Sequence, residues 1–200
     1  MVNEKVFSEY EVLELGFLMG PEKVYHVKCT GSVEEELEVR TVIKKCRGKV
    51  DKTRSFGAGN GTLTVSAHVP YEMYHELYGF VNKGLKKGIY AYGTTSVHPE
   101  FAITALLRDE DNLYKYKAYP RCVLQSNMSR SVENGADEIA ELEVEIALMP
   151  DENENVIYEA LQDDIEDEDL KNRWMEEFSL DLITDPQVKV AVSAVGKGLV

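Results

Sequence analysis

The stretch at residues 139–149 reads IAELEVEIALM, and its side chains alternate between apolar and acidic types. The apolar positions are Leu142, Val144, Ile146 and Leu148. The acidic positions are Glu141, Glu143 and Glu145. A period of two residues with β-branched members is typical of a strand with one buried face and one hydrated face. This stretch therefore predicts a β-strand around which the rest of the chain is organised.

The three glutamates of this strand stand in a row, about 7 Å apart along one face. Because such a row repels itself, its side chains must stay in contact with water. Two interpretations follow, and the pattern alone does not choose between them. The row belongs to an ordinary solvated sheet face, or it forms the wall of a water-filled channel that repels a polyanion.

The composition describes an acidic chain of ordinary hydrophobicity. Its 200 residues carry a net charge of −14, and 44% of them are apolar. That length fits one domain, or one domain with extended arms. The negative charge argues against a protein that grips nucleic acid through its phosphates. No apolar run approaches 18 residues, which predicts no membrane span, and the N-terminus lacks the pattern of a signal peptide.

The cysteine and histidine residues do not form a recognisable site. None of the three cysteines lies in a CxxC pair, and an odd number favours reduced thiols. The four histidines are scattered along the sequence, so we predict neither a metal site nor a cofactor. The common catalytic motifs are also missing, and identical glutamates on one hydrated face lack the contrasting environments of an acid and a base. We therefore do not expect an enzyme.

Several further segments show strand patterns, and two show helical ones. The predicted strands cover residues 24–29, 33–46, 62–69, 88–93, 101–107, 113–119 and the tail from Pro186. A helix is predicted to begin at Pro70, since Met73, Leu77 and Phe80 recur at helical spacing. A second helix is predicted at 170–180, within the acidic final part of the chain.

Residues 44–61 differ from the rest of the chain because they are strongly basic and end in a series of glycines. The stretch lacks the spacing and the lysine of a phosphate-binding loop. We predict an extended loop whose cations meet an acidic surface on another subunit, with a solvated hairpin tip as the simpler alternative. The residues assigned to this contact are Arg47, Lys49, Lys52, Arg54 and Phe56.

These segments add up to a mainly β fold, a β-sandwich or partial barrel with one central helix. We divide the chain into an N-terminal arm at 1–20, a β domain at 21–160, and an acidic helix with a C-terminal strand or arm at 161–200. Two functional alternatives differ in class from a structural role. One is a monomeric β-barrel that binds a small ligand in an apolar interior pocket, and the other is an enzyme with a carboxylate pair.

Two long segments, 31–74 and 105–152, resemble the major tail proteins, or tail tube proteins, of long-tailed bacteriophages. The resemblance lies in the arrangement of nearly half the chain and not in a short chemical motif. It implies a β-sandwich-like subunit with one flanking helix, six subunits per ring, and rings stacked into a tube. Strands of each subunit would line an inner β-barrel through which the genome leaves during DNA ejection.

The same resemblance implies a set of partners and a location. The partners would be other copies of the chain, the tape measure protein, the tail terminator, and proteins of the baseplate or tail tip. Genomic DNA would pass without specific binding, and no membrane would be involved. The location would be the virion tail, assembled in the cytoplasm of the bacterial host. A terminator or a tube-like baseplate part is a related alternative.

The acidic row fits such a channel on electrostatic grounds. DNA carries one negative charge per ~1.7 Å of its axis, so a lumen lined with lysine would bind it and stall its passage. We hypothesise that Glu141, Glu143 and Glu145 face the lumen and keep the DNA sliding. The alternation of side chains does not show which hydrated face of the sheet lines the lumen.

Overall fold

A computed structural model of the chain describes residues 6–135 and 139–185. Eight strands and three α-helices lie in these ranges. The strands are β1 (Glu11–Gly20), β2 (Lys23–Val27), β3 (Thr30–Cys46), β4 (Lys49–Ala67), β5 (Glu100–Arg108), β6 (Tyr114–Leu124), β7 (Leu142–Met149) and β8 (Tyr158–Leu161). The helices are α1 (Tyr71–Leu77), α2 (Glu168–Glu177) and α3 (Leu180–Ile183), with a short 3-10 helix at Gln162–Asp164.

All eight strands belong to a single antiparallel sheet in the order β2-β1-β5-β6-β7-β4-β3. β8 pairs with the first half of β6, next to the segment that pairs with β7. The sheet curls around its own core without closing, so the mainly β class with a partial barrel is confirmed. The strands form one continuous sheet around this core.

β7 confirms the alternation of the organising stretch, although it begins three residues later than predicted. Val144, Ile146 and Leu148 are buried, whereas Glu143 and Glu145 are exposed. β7 pairs with β4 on one side and with β6 on the other, which places its apolar parity in the middle of the core. The two-residue period of the sequence therefore correctly distinguishes the side chains that face the core from those that face solvent.

The main core fills the concave side of the sheet, and α1 completes it. Strand residues such as Leu63, Ile103 and Ile146 are fully buried there. α1 adds Met73 and Leu77, which are also fully buried. The helix ends earlier than its apolar stripe suggested. Gly79 follows it at φ +62, a conformation that favours glycine and ends helices.

A second, smaller core lies on the convex side of the sheet under α2. It joins α2 to β1, β6 and β8 through the aromatic rings of Tyr116, Trp174 and Phe178. The Trp174 indole N–H donates to the backbone carbonyl of Lys117 at 3.1 Å, which satisfies its one buried donor. The predicted late helix is thus confirmed at 168–177. Because it covers this part of the sheet, β5 is buried on both faces.

Four predictions about secondary structure need correction. Residues 11–20 form the inner strand β1 and not an arm, because Leu15 and Phe17 are buried in the core. The loop at 44–61 is a continuation of strands β3 and β4. Residues 88–93 do not form a strand. They belong to a loop whose one β-bridge joins Val81 to Ala91 among the described residues.

The fourth correction concerns the strand predicted at 113–119, which continues through Pro120 to Leu124 in β6. The register shifts at this point, so Pro120 and Arg121 both lie opposite the single residue between Phe101 and Ile103. A bulge of this kind tolerates a residue without a backbone N–H. The predicted strand from Pro186 and the first five residues of the predicted N-terminal arm lie outside the described residues.

Candidate assembly surfaces

The outer face of strands β3, β4 and β7 is hydrated and carries carboxylates in two columns. Because the three strands are in register, each row across them is defined. Glu34 pairs with Thr64, which pairs with Glu145. We call this surface the acidic face, and it consists of Ser32, Glu34, Glu36, Thr62, Thr64, Ser66, Glu143, Glu145 and Ala147. It contains no lysine or arginine.

A column of hydroxyl groups separates the two columns of carboxylates. Thr62, Thr64 and Ser66 of β4 lie between the glutamates of β3 and those of β7. Since neighbouring strands are about 4.8 Å apart, Glu34 and Glu145 are separated by roughly twice that distance at their backbones. The spacing keeps the like charges apart and hydrated, so the face stays acidic without ion pairs between its strands.

Two of the three predicted lumen residues lie together on the acidic face, and the third lies apart from them. Glu143 and Glu145 project from β7 on the acidic face. Glu141 precedes the strand, and its carboxylate lies against the backbone of Gly31, where any side chain would collide with it. Glu34 and Glu36 also lie on this face. Their strand was predicted at 33–46, but they were not among the predicted lumen residues.

β3 and β4 extend past the sheet as a two-stranded ribbon, which we define as residues 39–57. β7 pairs with β4 from Gly61 to Ala67, so within the described ranges the ribbon has no third strand. Its tip is a two-residue turn at Arg47 and Gly48, with φ of +51 and +78. Two positive φ values are typical of the type I′ turn that joins twisted antiparallel strands.

The two faces of the ribbon differ in charge. On one face, Arg40 pairs with Phe56, Val42 pairs with Arg54, and Lys44 pairs with Lys52. The other face is neutral and consists of Val39, Thr41, Ile43, Thr53, Ser55 and Gly57. The structure thus brings the predicted residues Lys52, Arg54 and Phe56 together on the basic face. It places Arg47 in the turn and Lys49 beside it, opposite Cys46.

The ribbon exposes apolar surface that its own domain does not cover. Val39 is 66% exposed and Ile43 is 52% exposed, although both are strand residues with β-branched side chains. A two-stranded hairpin without a packed face is marginally stable in water. Exposed apolar side chains in a regular row indicate a binding surface. The ribbon is therefore suited to pack against another protein surface.

A charged cluster lies inside the open side of the sheet, between its two ends. The Lys117 side chain is only 7% exposed, and its ammonium group lies 2.8 Å from the Glu9 carboxylate. It also lies 3.2 Å from the carboxylates of Glu35 on β3 and Glu159 on β8. The Tyr119 hydroxyl donates to Glu35 at 2.5 Å. The cluster joins the segment before β1 to three strands.

The pKa values of the cluster follow from the balance of burial and charge. Burial lowers the pKa of Lys117, but the hydrogen bond to Glu9 and the charges of the surrounding carboxylates outweigh it, so the pKa is raised. Burial raises the pKa of Glu9, yet hydrogen bonds from Lys115 and Lys117 outweigh it and the pKa is lowered. Both groups are held in their charged forms. The cluster is therefore an ion network that joins parts of the fold.

The cluster borders a polar cleft of about 780 Å³ where β1 and β3 separate. The described residues contain no group of three or more histidine, cysteine or acidic side chains placed to hold a metal ion. Across 6–135 and 139–185, no helix is both long and apolar enough to cross a membrane. Cys29, Cys46 and Cys122 are all free thiols.

The comparisons with known proteins give a distant structural similarity and no sequence match. No protein-family model matches the chain, and no curated protein matches it by sequence. Among solved structures, the chain is similar to the anti-feeding prophage cap, described as the AFP tube terminating cap, from a cryo-EM structure. The alignment covers 80% of this chain and 98% of the cap, with 14% identity and a TM-score of 0.45.

Proposed function

We propose that this chain is a structural subunit of a phage tail tube, which stacks as rings of six copies around a channel for the genome. The ribbon is the observation that carries the proposal. It is a long, regular element that projects beyond the domain with a basic face and an uncovered apolar face. We infer that such an element binds another subunit. The number six rests on the sequence resemblance.

The acidic face supplies the channel lining in this proposal. It is a regular, hydrated surface of three paired strands, and carboxylates and hydroxyls make up its polar side chains. Repeated around a ring, it would present a negative wall to DNA and would not bind the phosphates. We accordingly extend the predicted lining to Glu34, Glu36 and the hydroxyl column, with Glu143 and Glu145 as the second column of carboxylates.

The proposal also accounts for the unpaired edge of the sheet. In the described part of the chain, no strand pairs with the outer edge of β3, the last strand of the sheet. Open edges invite uncontrolled pairing, and assembly into a closed ring removes them. The ligand-binding alternative has less support, because core side chains fill the concave side of the sheet and the cleft beside it is polar.

Negative-stain electron microscopy of the concentrated protein tests the proposal directly. We expect rings or tubes with a central hole for the wild type. The double variant V39N/I43N should raise the concentration needed for assembly by about tenfold or more. Full burial of a valine or isoleucine contributes about 1.5–3 kcal/mol, and 1.4 kcal/mol corresponds to a factor of ten.

Matched variants separate the ribbon from the rest of the molecule. Thr41→Ser lies on the same neutral face, keeps its hydroxyl and should assemble like the wild type. Circular dichroism should show an unchanged fold for all variants. A monomer at every concentration, with binding of a small molecule in a thermal-shift screen, would replace this proposal with the ligand-binding module.

The channel lining has its own test in assembled virions. The triple variant E34K/E143K/E145K should leave the tubes intact and slow DNA ejection, because lysines on the wall bind phosphates. The neutral triple E34Q/E143Q/E145Q should have a much smaller effect. Ejection at the wild-type rate in the lysine variant would place the acidic face elsewhere than on the lumen.

A further inference from the structure

Residues 78–99 form a long loop that exposes apolar and aromatic side chains. Val97 is 76% exposed, and Ile89 is 50% exposed. Tyr90 and Tyr92 are each more than 40% exposed, as is Leu85. We call this segment the tyrosine loop. Exposed groups of this kind, and tyrosine above all, are enriched where proteins bind one another.

The tyrosine loop holds its shape through its own hydrogen bonds. The backbones of Val81 and Ala91 exchange two N–H···O bonds of 3.0 and 2.9 Å. The Asn82 side-chain amide donates to the carbonyls of Lys86 and Ile89. A surface ordered before binding loses little conformational entropy when a partner docks. The apolar side chains are therefore presented by a preformed scaffold.

Aromatic contacts fix the loop to the body of the domain. The Tyr90 ring stacks on His75 of α1 with centroids 4.7 Å apart, and the Phe80 ring meets His75 edge-on at 4.6 Å. The His98 ring nitrogen Nδ1 hydrogen-bonds the carbonyl of Leu124 on β6 at 2.9 Å. Both ends of the exposed surface are thus held to the folded domain.

The basic residues of this chain are concentrated in the tyrosine loop and the ribbon, and the acidic residues lie mostly elsewhere. The tyrosine loop contains three basic residues, Lys83, Lys86 and Lys87, and no acidic residue. The ribbon contains seven basic residues and one acidic residue. The whole chain has 22 basic and 36 acidic residues, so the remainder holds 12 basic and 35 acidic ones. The ribbon and the tyrosine loop, which both expose apolar side chains, carry net positive charge, and the remainder of the chain carries net negative charge.

We propose that the tyrosine loop is a second docking surface, separate from the ribbon, and that it binds the acidic body of another copy of this chain. Charge complementarity indicates another copy of this chain as the binding partner, because the tyrosine loop is basic and every copy carries an acidic surface. Two different surfaces meet, so the contact is heterologous and continues from copy to copy. This inference rests on the proposed function for the geometry of the assembly.

The charge-reversed triple variant K83E/K86E/K87E tests the inference, with the charge-preserving K83R/K86R/K87R as its matched control. We expect the glutamate variant to need about tenfold more protein for assembly in sedimentation velocity, since like charges would face each other at the contact. The arginine variant should stay within about twofold of the wild type. All six substitutions are at exposed positions, and thermal unfolding checks that the fold is intact.

A mixing experiment tests the heterologous geometry. The glutamate variant keeps its acidic body, so it still accepts the loop of a wild-type copy but offers no competent loop of its own. Small fractions of it should therefore shorten wild-type assemblies. A variant in which only the apolar surface is changed, I89Q/V97Q, should weaken assembly in the same direction without changing the charge.

The outcomes separate this inference from the proposed function. If the wild type forms tubes and the glutamate variant forms them at the same concentration, the tyrosine loop is not a docking surface and the tube function stands. If the wild type forms no tube but self-associates in a manner that the glutamate variant loses, the loop inference stands and the tube function fails. A loop that binds a different protein and leaves self-association unchanged would overturn the inference.

Discussion

The two halves of the sheet differ on their outer faces, although hydrogen bonds join them into one sheet. Over β1, β5, β6 and β8, the outer face is apolar and α2 covers it. Over β3, β4 and β7, the outer face carries glutamates and hydroxyls, and no described element covers it. The covered half makes a stable domain, and the uncovered half offers a surface to other molecules. The ribbon extends from the uncovered half.

The two outer faces contribute differently to the stability of the fold. In the covered half, β1, β5 and β6 bury side chains on both of their faces, so both faces contribute to folding. In the uncovered half, only the side chains that face the core contribute to folding. The outward-facing side chains are available to contact other molecules. Changes to the two outer faces should therefore have unequal effects on the free energy of unfolding.

The largest effect is expected for Trp174→Ala in the covered half. Trp174 is 3% exposed and stacks on Tyr116, so its truncation should destabilise the domain by about 3–5 kcal/mol. Urea unfolding followed by circular dichroism measures the loss. Thr64→Ala on the acidic face is the matched control and should stay within about 0.5 kcal/mol. Equal losses for the two variants would remove the distinction between the halves.

The next effect concerns the cluster that joins the halves across the open side of the sheet. Lys117→Met leaves Glu9, Glu35 and Glu159 without their shared cation and should cost about 2–3 kcal/mol at neutral pH. This lies at or below the usual cost of breaking a buried ion pair, because Glu9 and Glu159 keep contact with water.

A double variant shows whether unpaired carboxylates cause that loss. K117M/E35Q carries one carboxylate fewer than K117M and should recover part of the stability. If the single variant unfolds at the same urea concentration as the wild type, Lys117 does not join the two halves energetically.

A smaller effect is expected from acid, through the segment that precedes β1. The pKa of Glu9 is lowered in the folded state from its ordinary value of 4.5. Its contribution to stability is therefore complete above that value and is lost as the pH falls through the lower folded pKa. The difference in unfolding free energy between the wild type and Glu9→Gln should vanish in strong acid. Glu110→Gln, in an exposed turn, is the control and should change the unfolding free energy by less than about 0.5 kcal/mol at neutral pH.

The smallest effect on the domain as a whole is expected at the tip of the ribbon. Gly48→Ala places a side chain at φ +78 and should cost about 1 kcal/mol, confined to the ribbon. Gly57→Ala is the control, since its φ is not in the left-handed region and no atom lies near the added carbon. Hydrogen exchange of the ribbon amides measures the difference. Faster exchange throughout the sheet would show that the ribbon and the uncovered half unfold together.

The alternation of apolar and polar side chains was the sequence pattern that predicted the structure best. It located β7, the long β3 and the hairpin of β5 and β6, because a strand with one dry face imposes a two-residue period on its side chains. It failed at residues 88–93, where alternating aromatic residues sit in a loop that side-chain hydrogen bonds hold in place. It also missed the strand character of 44–61, because a ribbon with a basic face and small residues on the other resembles a polar loop.

The chain alone was enough to establish a mainly β domain, the inner parity of its strands and the separation of charge along the sequence. These depend on local spacing and composition, which the sequence states directly. Three features depended on the folded arrangement: α2 covers one half of the sheet and not the other, Glu34 and Glu145 share a face, and Lys117 meets three carboxylates. Each joins residues that are far apart in the chain, and the pairing of β-strands decides which of them meet.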